Sequence, residues 1–137
     1  MKIAICASMV FSVEMLKIKK QLEKLGHMCF VSKFADGYKD MTKKEIEKQT
    51  IFDKNDKDAI REFWDKIKKS DGILVLNYDR KGIYNYIGGN TFLEIGFAHV
   101  LNKKIFLMNP IPEIEFYKSE IEAVRPVVIN GNLSKIT

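Results

Sequence analysis

The sequence predicts an α/β protein, a small doubly wound fold built on a five-stranded parallel sheet. Two observations carry this reading. Short apolar runs at 2–7, 28–31, 73–76, 104–108 and 126–129 read as strands, and the first is nearly continuous, as in strands covered on both faces. Between them lie stretches whose apolar residues recur at spacings of three and four, the pattern of amphipathic helices. Strands alternating with helices imply parallel pairing through right-handed crossovers.

The elements follow in order. Lys2–Ala7 is the first strand and 8–12 a loop. Ser12 is a plausible N-cap with Glu14 in the first turn; Met15, Ile18, Leu22 and Leu25 form the buried stripe, and Gly26 stops the helix. Met28–Val31 is the second strand. Residues 33–38 have no period and read as a loop. Thr42-Lys-Lys-Glu45 fits a capping box opening a short polar helix. Asp56 or Asp58 begins another, with Ile60, Phe63, Trp64 and Ile67 inward and Ser70-Asp-Gly72 at its end. Ile73–Leu76 is the third strand. A polar connection, 77–90, carries Tyr78, Tyr84 and Tyr86 into a helix ending near Asn102. Lys104–Met108 is the fourth strand, and Asn109-Pro-Ile-Pro112 breaks the chain. A helix over 113–124 cannot readily continue into Pro126. Pro126–Ile129 is the fifth strand, closed by an Asn130-Gly131 turn.

The 137 residues are one domain's worth, 1–137, without repeats or an internal linker. Hydrophobic residues at 46% and charged residues at 30% allow a core and a solvated surface. The formal net charge of +5 is spread over helix faces such as Lys17, Lys19, Lys20 and Lys24. No aromatic and basic residues interleave, so no nucleic-acid partner is expected. No apolar run approaches the roughly 18 residues that span a bilayer, so no membrane partner is expected. Cys6 and Cys29 lie in apolar runs without metal-ligand spacing, and neither a metal nor a cofactor is expected. Two buried thiols without a signal peptide point to the cytoplasm.

Chemistry concentrates in Tyr86-Ile-Gly-Gly-Asn-Thr-Phe-Leu-Glu94 and the helix it opens. Asn90 or Thr91 can cap that helix, which puts Glu94 in the first turn. Glu94 shares a face with Phe97, Ala98 and Leu101 by the three-and-four spacing. A carboxylate heading an apolar face needs compensation, which the helix N-terminus can supply, keeping it ionised. The expectation is an anionic nucleophile at the mouth of a pocket floored by Gly88 and Gly89, against the plainer reading of a dipole-complementing, partly exposed Glu. With five strands ordered 2-1-3-4-5, a flavodoxin- or Rossmann-like sheet, ligands bind beyond the carboxyl ends of the strands where the order reverses. Those ends are Ala7-Ser8, Asn77-Tyr78 and Asn109.

Ser70-Asp-Gly-Ile-Leu-Val-Leu76, Glu94-Ile-Gly-Phe-Ala98, Asn102-Lys-Lys-Ile-Phe-Leu107 and Ile5-Cys-Ala-Ser8 together resemble the nucleoside 2-deoxyribosyltransferase superfamily, which includes 2-deoxynucleoside 5-phosphate N-hydrolases. The resemblance implies that Glu94 is the nucleophile toward the anomeric carbon of a sugar. The chain departs from the family's pattern in three places. Gly88 stands where the transferases carry an Asp, Phe63 where the family has another Asp, and Val10 where the hydrolases have a phosphate-binding Arg. Gly88-Gly-Asn-Thr91 with Glu94 is also similar, less closely, to the signature of phosphoribohydrolases that release cytokinin bases.

N-glycoside cleavage passes through a sugar cation that a carboxylate can stabilise or bond, and it needs a proton for the leaving base. Asp79, Tyr84 and Tyr86 are candidate donors or positioners, with a turn role for Asp79 and packing or dimer contact for the tyrosines as the alternatives. Ala7 and Ser8, Gly88, Gly89 and Asn90, and Asn77 and Asn109 are the candidate substrate contacts, Ser8 for a phosphate or ribose hydroxyl. The helix carrying Glu94 is apolar nearly all round, through Phe92, Leu93, Ile95, Phe97 and Val100, which predicts a homodimer. Two functions follow: cleavage or transfer of the N-glycosidic bond of a nucleoside or nucleotide, or a non-catalytic nucleotide-binding module on the same fold.

Overall fold

The apolar runs become five parallel strands in one sheet of order β2-β1-β3-β4-β5. The computed structural model describes residues 1–38 and 40–137. The strands are β1 (Lys2–Cys6), β2 (Met28–Phe30), β3 (Gly72–Val75), β4 (Lys104–Leu107) and β5 (Val127–Val128). The helices are α1 (Ser12–Lys24), α2 (Ala35–Tyr38), α3 (Lys43–Asp56), α4 (Ala59–Lys69), α5 (Gly89–Val100) and α6 (Lys118–Ala123).

Alternation along each strand sorts side chains into two cores. Ile3, Ile5, Leu74, Leu76 and Phe106 pack with Met15, Ile18 and Leu22 of α1. Ala4, Cys6, Ile73, Val75 and Leu107 pack on the other face with Phe63 and Ile67 of α4, Ile95 and Ala98 of α5, and Ile121 of α6. Each fully buried Leu or Ile contributes roughly 1.5–3 kcal/mol of transfer free energy, so covering the central strands on both sides holds the sheet together. Gly72 opens β3 for a steric reason. A Cβ there would lie 2.9 Å from the Lys104 carbonyl oxygen of β4, so the strands close only over a glycine.

Several local expectations are corrected. Residues 33–38 are not all loop: α2 occupies the last four of them and buries Tyr38. Ser12 does not cap α1. A 3-10 turn at Met9–Phe11 precedes that helix, and the Ser12 hydroxyl is buried without a partner among the described residues. The Thr42 box forms, its hydroxyl accepting from the Glu45 N–H, but it opens a helix of 14 residues rather than a short one. Asp58, not Asp56, caps α4; Asp56 ends α3. The helix near 113–124 shrinks to α6, and the fifth strand, at the edge of the sheet beside β4, to two residues. No helix among the described residues is long and apolar enough to cross a membrane.

Candidate active site

The order of the sheet reverses between β1 and β3, and the chain leaving their carboxyl ends builds a two-part cleft. The outer part, about 320 Å³, is lined by Ala7 and Ser8 after β1, by Arg80, Lys81 and Tyr86 from the loop after β3, and by Gly88, Gly89 and Asn90 at the start of α5. The inner part, about 40 Å³, has Cys6, Phe63, Tyr38, Asp53 and Glu94 among its walls. Ala7, Met9, Thr50, Lys54 and Asn90 line both, so the two parts adjoin.

Glu94 forms the inner wall in a way the sequence reading mistook. Helix α5 begins at Gly89 with Gly88 as N-cap, and neither Asn90 nor Thr91 caps it. Glu94 is therefore in the second turn, beyond the free N–H groups that favour a negative charge. The residue is only 6% exposed. Burial, and then the neighbouring charge of Glu62, lift its carboxyl from the ordinary 4.5 to about 8. The expectation of a carboxylate kept ionised by the helix is corrected: in the free protein at neutral pH Glu94 carries its proton. Glu94 in turn adds to the burial that raises the Cys6 thiol.

The loop after β3 is shaped by a tight turn. Arg80 and Ile83 exchange backbone hydrogen bonds of 3.1 and 2.9 Å across Lys81 and Gly82, both at positive φ. Such a two-residue reversal needs the left-handed conformation at both positions, which Gly82 adopts freely. The turn aims Arg80 back over the sheet. Its guanidinium donates to the Ser8 hydroxyl at 2.9 Å, pairs with Glu47 at 3.0 Å and lies 5.7 Å from the centre of the Tyr86 ring. An arginine thus reaches the first-strand serine after all, from a different element than the one where Val10 stands in its place.

The predicted site residues divide. Ala7, Ser8, Tyr86, Gly88, Gly89 and Asn90 line the outer part, and Glu94 the inner. Asp79, Asn77 and Asn109 line neither. Asp79 is exposed and accepts the Asn85 N–H at 2.8 Å, so its carboxylate closes the loop. The fully buried Asn77 donates to the carbonyls of Asn109 and Pro110 and accepts the Asn109 N–H, while the Asn109 side chain returns a bond to the Asn77 carbonyl. These two asparagines lock the strand ends to each other, leaving little capacity for a ligand. Tyr84 is 79% exposed and off the cleft.

Among the lining residues that were missed are Tyr38, Asp53, Lys54 and Arg80. Asp53 is 3% exposed and receives hydrogen bonds from the Tyr38 hydroxyl and, at 2.9 Å, from Gln49. The signal available was the spacing of Ile46, Thr50 and Asp53 on one face of a polar helix.

Fold and cleft together define a small doubly wound α/β protein with a buried carboxyl and a basic rim at its switch point. No family model matches the chain, and no curated protein does. Among solved structures the chain is similar to the 2-deoxyribosyltransferase of Bacillus psychrosaccharolyticus, at 23% identity over 78% of this chain and 71% of that one, with a TM-score of 0.46. It is also similar to the CMP N-glycosidase BcmB of Clostridium botulinum, at 16% identity over 95% and 90% of the two chains, with a TM-score of 0.48.

Proposed function

We propose that the protein cleaves or transfers the N-glycosidic bond of a nucleoside or nucleotide, with Glu94 as the carboxylate that meets the anomeric carbon. The supporting observation is Glu94 itself, a buried carboxyl opening into the inner end of a cleft whose outer end has the volume of a small-molecule site. Its raised pKa suits this role. Once it has given up its proton, a carboxylate removed from water interacts strongly with positive charge that develops on a sugar. The same desolvation is relieved when that charge forms, so the interaction favours the transition state over the ground state.

The outer end suits a phosphate or a polar sugar. Arg80, Lys81 and Lys54 supply positive charge, and the start of α5, where Gly88 offers no side-chain cap, supplies backbone donors. The test is release of free base from ribonucleosides, deoxynucleosides and their 5-phosphates. Glu94→Gln should lower turnover by several orders of magnitude while nucleotide binding weakens far less. Equal, very slow release by wild type and variant, with binding intact in both, would establish a non-catalytic nucleotide-binding module instead.

The homodimer belongs to the same reading. Leu93, Gly96, Phe97 and Val100 form a stripe on the outer side of α5 at helical spacing, with Leu93 46% and Val100 75% exposed. A second copy covering that stripe would bury more than about 1,000 Å² in a stable interface.

A further inference from the structure

Two carboxyl-bearing side chains are buried among the described residues, Glu94 and Asp53, and both open into the inner part of the cleft. That coincidence needs a cause, because a buried carboxyl is costly wherever it is placed. Asp53 is not a core residue that happens to be polar. It is delivered by α3, the helix that covers the 3-10 turn after β1 and packs on α4, and it is held from two sides by the Tyr38 hydroxyl and the Gln49 amide. Glu94, by contrast, has neither a hydrogen bond nor a cation acting on its carboxyl among the described residues. One carboxyl is oriented and the other is left open toward the cavity between them.

Resting on the N-glycoside reading above, we propose that Asp53 is the acid–base partner of Glu94, giving the leaving base its proton and taking one back from water. Cleavage of this bond needs one carboxylate to meet the sugar and one carboxylic acid to discharge the base. In the free protein Glu94 holds a proton at neutral pH, so the inner cavity contains the proton that the reaction requires. The proton that Glu94 gives up as it meets the sugar is the one that Asp53 passes to the base. The inner cavity, about 40 Å³, has room for the water that relays it.

The steps then balance. The bond between the anomeric carbon and the base nitrogen breaks, and its electron pair stays on the base. Asp53 protonates that base, and a Glu94 oxygen bonds to the carbon. Water next attacks the carbon, the bond to Glu94 breaks, and Asp53 takes the proton that water loses. The groups that face this exchange are Cys6 of β1, Tyr38 of α2, Lys54 of α3 and Glu62 of α4, the last paired with Lys66 at 2.8 Å.

Asp53 is invisible to a reading by family position, since Gly88 and Phe63 occupy the places where acids are expected. Tertiary structure supplies a carboxyl from a third place, ten residues before Phe63, on α3.

The test compares two leaving groups. Substrates are the nucleosides and 5-phosphates of the base-release panel, and 4-nitrophenyl β-riboside with its 5-phosphate, whose phenolate leaves without a proton. Asp53→Asn should slow release of a natural base by about 10²–10⁴-fold. It should slow the nitrophenolate burst by less than about tenfold, and that retained burst also reports an intact fold. Glu94→Gln should slow both alike. Asp53→Glu, which keeps a carboxyl, should recover part of the natural-base activity if the Asn variant folds poorly. Wild type active on natural substrates with Asp53→Asn slowing both leaving groups equally, or neither, overturns the role of Asp53 and leaves that of Glu94 standing. Wild type inert on every substrate overturns both.

Discussion

Replacing Glu94 by Gln should stabilise the protein, by an amount that grows with pH. The Glu94 carboxyl lines a cavity with Cys6, Phe63 and Asp53, and burial together with the Glu62 charge raises it from 4.5 to about 8. The unfolded chain therefore loses this proton near pH 4.5, whereas the folded chain keeps it to about pH 8. Because the folded pKa is the higher, the group's contribution is fully present below about pH 4.5 and is lost as pH rises through 8. At 1.36 kcal/mol per pH unit the full loss is about 5 kcal/mol, of which about 3 kcal/mol is already gone at pH 7. Gln keeps the shape and does not titrate. The variant should match wild type within about 1 kcal/mol at pH 5 and exceed it by about 3 kcal/mol at pH 7. For a chain of this size that corresponds to a melting temperature about 10 °C higher. Urea unfolding at pH 5, 7 and 8.5, with calorimetry alongside, measures it. A stability difference that stays constant across those three pH values would refute the reasoning, since it would mean that Glu94 titrates alike in the folded and unfolded chain.

Other expectations follow from single contacts. Glu62→Gln removes the charge that adds to burial at Glu94, so the pH range over which wild-type stability is lost should move downward, as read by the same titration. Gly72→Ala places a Cβ 2.9 Å from the Lys104 carbonyl and must part β3 from β4; a loss of about 1–3 kcal/mol is expected in chemical denaturation. Asn77→Ala strips three hydrogen bonds from the buried link between strand ends, and should destabilise by about 2–4 kcal/mol. Its effect on nucleotide affinity, measured under folded conditions, should be small. Val100→Glu puts a charge in the exposed stripe of α5 and should turn a dimer into a monomer in light scattering, lowering the melting temperature only by what association contributes.

The sequence by itself determined the sheet. Apolar runs at 2–7, 73–76 and 104–108 are legible because strands buried on both faces must be apolar throughout, and alternation with helical periods leaves little choice but a parallel, doubly wound order. It also singled out Glu94, because a carboxyl on an apolar helix face is costly and visible as such. Tertiary structure alone decided how that carboxyl is held. A cap at Gly88 rather than Asn90 moves Glu94 two residues further into the helix, away from the free N–H groups and toward Glu62, which reverses its expected charge state. The remaining wall of the cleft was equally hidden. Arg80 depends on the turn at Lys81 and Gly82, and Asp53 on a polar helix folding over the carboxyl edge of the sheet. Both are ordinary polar residues in sequence. Only long-range contacts, Arg80 to Ser8 and Asp53 to Tyr38, bring them to the cleft that holds Glu94. Periodicity reports which face of an element is buried, and it carries no record of which distant residue that face will meet.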